Sequence, residues 1–234
     1  MFKRIVILAV LILPLCTFAQ GRKKVFNLPS YDNRLIHFGF LLGINTSDFR
    51  ITAALTPGVF DSIKGVQSKR NSGFNLGIIG NLHLGNFMDI RFVPALAFSS
   101  RTLVYTIKGS KGFYTQSKDI ESTFIELPLL FKYKSERHNN FRAYVIGGIK
   151  YSYDMASQKG VKDDQDNIIV KIRDGDYGFD LGVGFDFYAQ YFKFSPEIRY
   201  TFGIRDLLIR EGNPFTNTID KLTSKIILIS FNFE

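Results

Sequence analysis

Residues 177–202 alternate apolar and polar side chains twice, in two registers, around a short turn. In the first run the odd positions are apolar, and the even positions from 178 to 186 carry only glycine and aspartate. In the second run the even positions are apolar and the odd ones polar, the apolar set being Phe192, Phe194, Pro196, Ile198, Tyr200 and Phe202. A β-strand points successive side chains to opposite faces, so the two runs predict a hairpin with one wholly apolar face.

The polar face of this hairpin mixes glycine with charges of both signs, whereas the apolar face is dense in large aromatic residues. That division suits a sheet closed around a small polar interior, with lipid outside. Gly182-Val183-Gly184 lies within a strand and lacks the strand-to-helix context of a nucleotide motif, so these glycines predict room inside a barrel. The pattern therefore predicts a transmembrane β-barrel.

The same alternation recurs along the chain and predicts eight strands. They cover about 34–45, 73–84, 87–99, 125–133, 141–153, 177–188 and 192–202, with a last strand ending at Phe233. The connections alternate long and short, and the long ones include residues 46–72, a stretch around 108–112, 154–176 and 203–221. Outer-membrane barrels have short periplasmic turns and longer external loops. We therefore predict an all-β, eight-stranded antiparallel up-and-down transmembrane β-barrel in the bacterial outer membrane, with both termini in the periplasm.

An eight-stranded barrel has an interior just wide enough for its own side chains. The predicted register points six positive and five negative side chains into it, namely Arg91, Lys132, Arg142, Lys150, Lys193 and Arg199 against Asp89, Glu126, Asp180, Asp186 and Glu197. Buried charges are tolerated where they are paired. The sequence thus predicts a closed polar interior held by an ion-pair network, which disfavours a porin.

The N-terminal residues predict a signal peptide followed by a basic segment. Residues 1–19 combine basic Lys3 and Arg4 with an apolar run and a small-residue cleavage site, as in a signal peptide. Residues 20–33 form a basic periplasmic lead-in, and 34–234 form the barrel. The lead-in and the turn 134–140 contribute the basic residues of a predicted rim: Arg22, Lys23, Lys24, Lys134 and Arg137. This rim would dock an acidic periplasmic partner or lie against lipid head groups.

Composition narrows the class of protein further. The chain has 24 Phe and 11 Tyr but no Trp, an aromatic load expected of strands with aromatic girdles at both membrane interfaces. Its net charge of +9 is scattered through turns, loops and polar strand faces instead of forming one stripe. This distribution disfavours nucleic acid as a partner.

Candidate chemistry is sparse. His37 and His83 are predicted to face inward near the periplasmic end, but a metal pair needs a third ligand that the pattern does not supply, so we interpret them as polar lumen filling. The acidic stretch 163–167 lacks the glycine and terminal glutamate of a calcium loop and is interpreted as solvated. No histidine falls in a predicted external loop, which disfavours the proteases and acyltransferases known on such barrels. We expect no catalytic residue, cofactor, metal or small-molecule substrate.

Three stretches carry a resemblance to a known family: residues 35–45 after a short basic lead-in, the run 125–133, and the aromatic terminal strand. They resemble the small outer-membrane barrels of Bacteroidota. Within that group, the His37-Phe38-Gly39-Phe40 opening and the preceding Asn27-Leu28-Pro29 are most similar to the PorT family. The resemblance implies a component of the type IX secretion system, which exports adhesins, proteases and gliding proteins that bear C-terminal signals. It supplies no catalytic residues.

Two functions stay open at this point. One is an interaction subunit of a secretion machine, with outer-membrane lipid and other secretion proteins as its partners. The other is a stand-alone barrel that binds a surface ligand, mediates adhesion or anchors the envelope.

Overall fold

The computed structural model describes residues 26–54, 63–109, 112–156, 170–210 and 214–234. The predicted signal peptide, the basic residues 22–24 and the acidic stretch 163–167 lie outside these ranges. A 3-10 turn (Tyr31–Asn33) opens the described chain, and a short helix, α1 (Pro214–Asn217), precedes the last strand. Among the described residues, no helix combines the length and the apolar character needed to cross a membrane. The strand segments are β1 (Ile36–Ala53), β2 (Ile63–His83), β3 (Met88–Phe92), β4 (Ala95–Gly109), β5 (Gly112–Lys134), β6 (Phe141–Asp154), β7 (Gly175–Tyr188), β8 (Lys193–Gly203) and β9 (Ile219–Phe233).

The strands form one closed antiparallel sheet. Apart from β3 and β4, which do not pair with each other, consecutive strands pair along the chain, and β9 returns to pair with β1 from Phe40↔Phe233 to Ala53↔Ile219. β3 and β4 both lie between β2 and β5, so together they occupy one position in the ring. The predicted fold, an eight-stranded up-and-down barrel, is confirmed.

Two prolines explain why the third strand of the ring is split. The ladder with β5 stops at Phe92↔Leu129 and resumes at Ala95↔Glu126. Pro94 and Pro128 lie in this gap, and proline has no N–H to donate to a ladder. The inward faces are unchanged across the break, since Arg91, Val93 and Ala95 are all buried.

The exposed face of the barrel is apolar, as the alternation predicts. On β7, Val183 is 54% exposed whereas Asp180 is 1% exposed. The exposed large residues continue around the ring and include Phe38, Phe40, Ile78, Leu129, Phe131, Ile149, Phe179, Ile198 and Ile229. This belt is the surface expected to contact lipid acyl chains.

The two ends of the barrel differ. At one end, which we call the turn end, the connections are the short turns 84–87, 135–140 and 189–192, and the chain enters and leaves the sheet there. At the opposite end, the loop end, lie the connections 54–62, 110–111, 155–174 and 204–218.

Two of the predicted long loops are wrong. Most of 46–72 belongs to β1 and β2. In the stretch 108–112, the described residues Lys108, Gly109 and Gly112 belong to β4 and β5, which pair with each other up to Gly109↔Gly112. Most outward residues of these extensions are polar or charged, as Thr46, Asp48, Arg50, Thr106 and Lys108 are, and such a composition is typical of loops. Their inward residues include Phe49, Leu103 and Tyr105, whose burial holds the extended strands in place.

An apolar cluster fills the loop end of the interior. Its members come from the inner faces of the extended strands and from the connections that fold over them: Phe49, Leu103, Tyr105, Ile107, Val170, Ile172, Leu207, Leu208, Phe215, Ile219 and Leu222. We call this set the loop-end cluster. The prediction of a polar interior therefore needs correction, because polar filling does not extend over the full height of the barrel.

Candidate functional site

All eleven predicted interior charges lie inside the barrel. Each is at most 6% exposed: Asp89, Arg91, Glu126, Lys132, Arg142, Lys150, Asp180, Asp186, Lys193, Glu197 and Arg199. They come from β3, β5, β6, β7 and β8, whose period-two alternation points them inward. Eight of them pair with one another, whereas Asp89, Arg142 and Lys193 pair with residues outside the predicted set.

Glu197 lies between two arginines. One carboxylate oxygen accepts from Arg199 Nη2 at 2.7 Å, and the other lies 3.4 Å from Arg91 Nη1. The second oxygen also accepts a hydrogen bond from the Tyr144 hydroxyl at 2.8 Å. Arg199 reaches Asp180 as well, at 3.4 Å. These contacts tie β3, β6, β7 and β8 together across the lumen.

Lys132 and Asp186 form a second pair. The Lys132 Nζ lies 2.8 Å from both carboxylate oxygens, and Ser195 Oγ donates to one of them at 2.6 Å. The Lys132 ammonium also lies 3.6 Å from the centre of the Tyr144 ring. Gly184 makes this arrangement possible, because a Cβ at that position would overlap the Tyr144 ring.

A third pair joins Lys150 to Glu126 at 2.7 Å. Glu126 also accepts from Asn75 Nδ2 at 2.9 Å, and Asn75 in turn accepts from Asn45 at 2.7 Å. The chain of polar contacts thus runs from β5 and β6 to β2 and β1. Its members satisfy one another, as buried polar groups must.

Glu234 is a network residue that the sequence analysis missed. Its side chain has no exposed surface and accepts from Arg91 Nη2 at 2.5 Å, Lys193 Nζ at 2.6 Å and the Tyr31 hydroxyl at 2.9 Å. The signal was present in the last strand, because Ser230, Asn232 and Glu234 alternate with outward apolar residues and so share the inner face.

Lys134 was predicted to belong to an exposed basic rim, but the structure places it inside the barrel. It is the last residue of β5 and is 3% exposed. Its Nζ binds Asp89 Oδ1 at 2.6 Å, and His83 Nδ1 lies 2.9 Å from the same oxygen. Residues two apart in a strand point to the same face, so Lys134 points inward as Lys132 does, because the strand continues up to Lys134 before the turn begins.

Arg137 is likewise engaged, by residues 26–33 of the lead-in, which we call the cap. Its guanidinium stacks 3.9 Å from the Phe26 ring and 3.6 Å from the Tyr188 ring, and it donates to the Asn27 carbonyl oxygen. Its side chain is 4% exposed. Residues 26–33 of the predicted lead-in therefore fold onto the turn end.

The cap closes the turn end through Tyr31 and Asp32. Asp32 binds Arg142 at 3.1 Å, and Tyr31 stacks on His37 with ring centroids 4.0 Å apart. Burial raises the pKa of the Tyr31 hydroxyl, and so does the neighbouring Glu234 carboxylate, so Tyr31 is a protonated donor at neutral pH. His37 Nε2 lies 2.8 Å from the Tyr31 carbonyl oxygen. Within the described residues no three His, Cys, Asp or Glu side chains are grouped to hold a metal.

Arg101 marks the boundary between the ion pairs and the loop-end cluster. It is 1% exposed, and its guanidinium lies 4.8 Å from the Phe49 ring and 5.0 Å from the Phe124 ring. Its Nε and Nη1 have no hydrogen-bond partner among the residues that the structure describes. The sequence analysis missed it because it lies beyond the predicted third strand, 87–99.

The lumen is therefore filled at three levels: by the cap, by the ion pairs and by the loop-end cluster. Breaking a buried ion pair by removing one partner costs about 3–5 kcal/mol, so the pairs resist opening. What this arrangement offers chemically is a closed wall whose outer surface and two ends are available for contact.

A match to a family of known proteins supports this picture. The sequence profile of the family described as outer membrane protein beta-barrel domain matches residues 18–208. Among solved structures, OprG from Pseudomonas aeruginosa is 15% identical, with 85% of this chain and 93% of that chain covered and a TM-score of 0.46. Ail of Yersinia pestis is 12% identical, with 84% and 96% covered and a TM-score of 0.36. Outer Membrane Protein W of E. coli is 14% identical, with 84% and 97% covered and a TM-score of 0.35.

A search of curated proteins found no match. Because the structural TM-scores are below 0.5, the assignment rests on the family match over most of the chain and on the closed ring of paired strands. The chain belongs to the outer membrane protein beta-barrel domain family, and it is a small barrel of the bacterial outer membrane whose wall contacts lipid.

Proposed function

We propose that this barrel is an outer-membrane subunit of a protein secretion machine of the type IX kind, and that it acts through protein contacts and not as a pore. The observation that carries the proposal is the filled lumen, since a barrel this narrow cannot pass a folded protein. The resemblance of residues 35–45 and 27–29 to the PorT family supports the choice of machine. The role is non-enzymatic, and all three histidines (His37, His83 and His138) lie at the turn end.

We infer that the turn end faces the periplasm. Short periplasmic turns and longer external connections are the rule in outer-membrane barrels. On this orientation the cap and the chain N-terminal to it lie on the periplasmic side. Lys134 is bound inside the barrel and Arg137 is bound by the cap, so the residues that we propose for docking are reduced to Arg22, Lys23 and Lys24, which precede the cap.

The secretion role is tested in a deletion strain. Loss of many secreted proteins with C-terminal signals at once, restored by the wild-type gene, supports the proposal. Loss of a single adhesion phenotype with normal secretion supports the alternative, a stand-alone barrel for surface ligand binding, adhesion or envelope anchoring.

The closed lumen has a separate test. The purified protein in a planar bilayer should show no stable conductance, and a reproducible large channel would contradict a role through protein contacts alone.

The docking hypothesis has its own test. Replacing Arg22, Lys23 and Lys24 by Ser should leave barrel assembly intact and lower secretion or partner co-purification in a salt-sensitive way. A matched control removes three exposed positive charges at the loop end: Arg50, Lys69 and Lys108. Equal effects of the two triple variants, or normal secretion in the first, would remove residues 22–24 from the mechanism.

A further inference from the structure

The lipid-facing wall of the barrel contains a groove that its side chains do not fill. The groove has a volume of about 550 Å³ and crosses β5, β6, β7 and β8, from Phe131 to Tyr200. Its sides are formed by aliphatic and aromatic side chains of the belt. Ile146 and Gly182 also line it, and because both occupy inward positions of their strands, they contribute main chain to its floor. We call this feature the wall groove.

A glycine opens the wall groove. Gly147 occupies an outward position on β6, in alternation with the exposed residues Val145 and Ile149. It pairs with Phe131 of β5 and with Leu181 of β7, and both of these side chains are exposed. A position without a side chain between two large ones leaves a depression in which another molecule can approach the main chain closely.

The margin of the wall groove that is nearest to the loop end lies beside a lysine. Tyr200 lines the groove on β8, and the Nζ of Lys225 lies 5.8 Å from the centre of the Tyr200 ring. Lys225 points outward on β9, two positions nearer to the loop end than Ile227, and pairs with Phe202 of β8. It therefore lies where the apolar belt gives way to polar residues, which is the level expected for lipid head groups.

The surroundings of Lys225 favour an anionic group there. Asp48 is its cross-strand neighbour on β1, but the Asp48 carboxylate pairs with Arg70 Nε at 3.9 Å. A cation at the membrane surface attracts the phosphate of a lipid head group. An amphiphile with an acyl chain for the groove and a phosphate for the ammonium matches both features, whereas a transmembrane protein segment would match the groove alone.

We propose that the wall groove binds lipid A, the phosphorylated glycolipid of the outer leaflet, with an acyl chain over Gly147 and a phosphate at Lys225. The groove continues the surface that contacts lipid, which favours a lipid over a protein segment. The choice of lipid A over a phospholipid rests on the orientation inferred above, because the loop end then lies in the outer leaflet. The site goes beyond the secretion role and does not depend on it.

Native mass spectrometry of the purified protein in detergent micelles tests the phosphate contact. The wild-type protein should bind added lipid A, and it should bind the same lipid about fivefold more weakly after the phosphates are removed. Lys225→Gln should weaken the binding of intact lipid A by a similar factor, whereas Lys108→Gln, at an exposed position on β4, should stay within about twofold of wild type. No binding of lipid A, or equal binding by the wild type and Lys225→Gln, would overturn the proposal.

Gly147→Leu tests the acyl-chain contact by filling the wall groove. A Cβ at position 147 would meet Leu181 Cδ2 at 3.1 Å, and this flexible side-chain end can shift, so the variant should fold, as judged by heat-modifiable migration. It should bind lipid A at least about tenfold more weakly than the wild type. Gly80→Leu is the matched control, because Gly80 lies outside the groove and its Cβ would meet the nearest atom at 3.8 Å, so it should bind as the wild type does. Unchanged binding by a folded Gly147→Leu variant would overturn the proposal, and if that variant does not fold, Lys225→Gln decides.

Photocrosslinking in cells identifies the occupant of the wall groove. A benzophenone amino acid placed at Phe131, in the groove, should form an adduct with the mass of lipid A in higher yield than the same amino acid placed at Phe38, on the belt outside the groove. Equal yields at the two positions would mean ordinary belt lipid and would overturn the site. An adduct with a phospholipid would overturn the choice of lipid A, and an adduct with a protein would overturn the lipid and assign the groove to a partner subunit. A failure of these lipid tests leaves the secretion test in the deletion strain unaffected.

Discussion

The two halves of the lumen differ in what fills them. Ion pairs are concentrated in the turn-end half, beside a smaller apolar cluster (Leu41, Ile79, Val93, Leu130, Tyr144 and Ile146), whereas the loop-end half is filled mainly by apolar side chains. In the turn-end half, charged side chains bind one another across the lumen, as Arg91 does with Glu197 and Glu234. In the loop-end half, the loop-end cluster packs apolar side chains from strands against others from the connections. The polar half is built mainly from strand residues and the cap, whereas the apolar half needs chain segments that leave the sheet and fold back over it.

The difference implies two kinds of energetic coupling. A buried ion pair is costly to break by removing one partner, yet replacing both partners by apolar residues is often neutral or stabilising. An apolar cluster loses transfer energy and gains a cavity with each truncation, and no second truncation repairs it. The polar half should therefore show rescue by a second substitution, and the apolar half should not.

The largest effect is expected for Asp186→Leu. It leaves the Lys132 ammonium buried without its carboxylate, which should cost about 3–5 kcal/mol in the free energy of unfolding. Adding Lys132→Met should recover part of that loss, because the unpaired charge is removed. Denaturant unfolding in micelles measures both variants. A double variant as unstable as the single one would show that the pair is not coupled in this way.

Leu208→Ala probes the apolar half. Leu208 has no exposed surface and belongs to the loop-end cluster, so its truncation should cost about 2–4 kcal/mol and expose the connection 204–218 to protease. Ile204→Ala, in the same connection at a residue 49% exposed, is the control and should cost less than about 1 kcal/mol. Equal losses would mean that the cluster does not hold the loop end together.

Gly184→Ala tests whether the polar half depends on glycine for its packing. The added methyl group would displace the Tyr144 ring from its contact with Lys132 and Glu197, for a loss of about 1–3 kcal/mol. Gly80→Ala is the control, since its Cβ would meet the nearest atom, the Phe92 carbonyl oxygen, at 3.8 Å. Unfolding free energies of the two variants that agree within error would refute the packing role of Gly184.

The smallest effect concerns Asp206 at the loop end. Burial raises the pKa of its carboxyl, but hydrogen bonds from the Leu222 amide, Arg210 and the Leu208 amide outweigh that and lower the pKa below its usual value. A depressed pKa stabilises the fold above the unfolded value near 4, and this contribution is lost as pH falls through the folded pKa. Asp206→Asn should cost about 1 kcal/mol at pH 7 and nothing at strongly acidic pH. A difference from wild type that is independent of pH would contradict this assignment.

The sequence predicts whether most strand residues point into the barrel or towards lipid. It does not predict which of the inward side chains bind each other. Lys132 and Asp186 were both placed inside by alternation, but nothing in either run indicates that they bind each other. The contact between Glu234 and Tyr31 could not be predicted, because 203 residues separate them in the chain. Phe49 and Tyr105 were hidden in stretches whose outward residues resemble loops.

The glycines show the same division. Alternation placed Gly182 and Gly184 on the inner face and predicted room there. Only the structure shows that the room at Gly184 is taken by the Tyr144 ring, and that a Cβ on Gly182 would meet the Ile198 carbonyl oxygen at 2.7 Å. An inward glycine substitution that the pattern alone would treat as mild is therefore a steric conflict.

The sequence by itself determined the strand character of the chain, the apolar belt and the inward direction of the charges. Each of these follows from local rules, because a strand alternates its faces with period two and lipid tolerates only apolar side chains. The tertiary structure alone decided which charges pair, that the cap closes the turn end and that β4 and β5 extend beyond the belt. These depend on distances across a closed ring between residues far apart in the chain, which no local pattern contains.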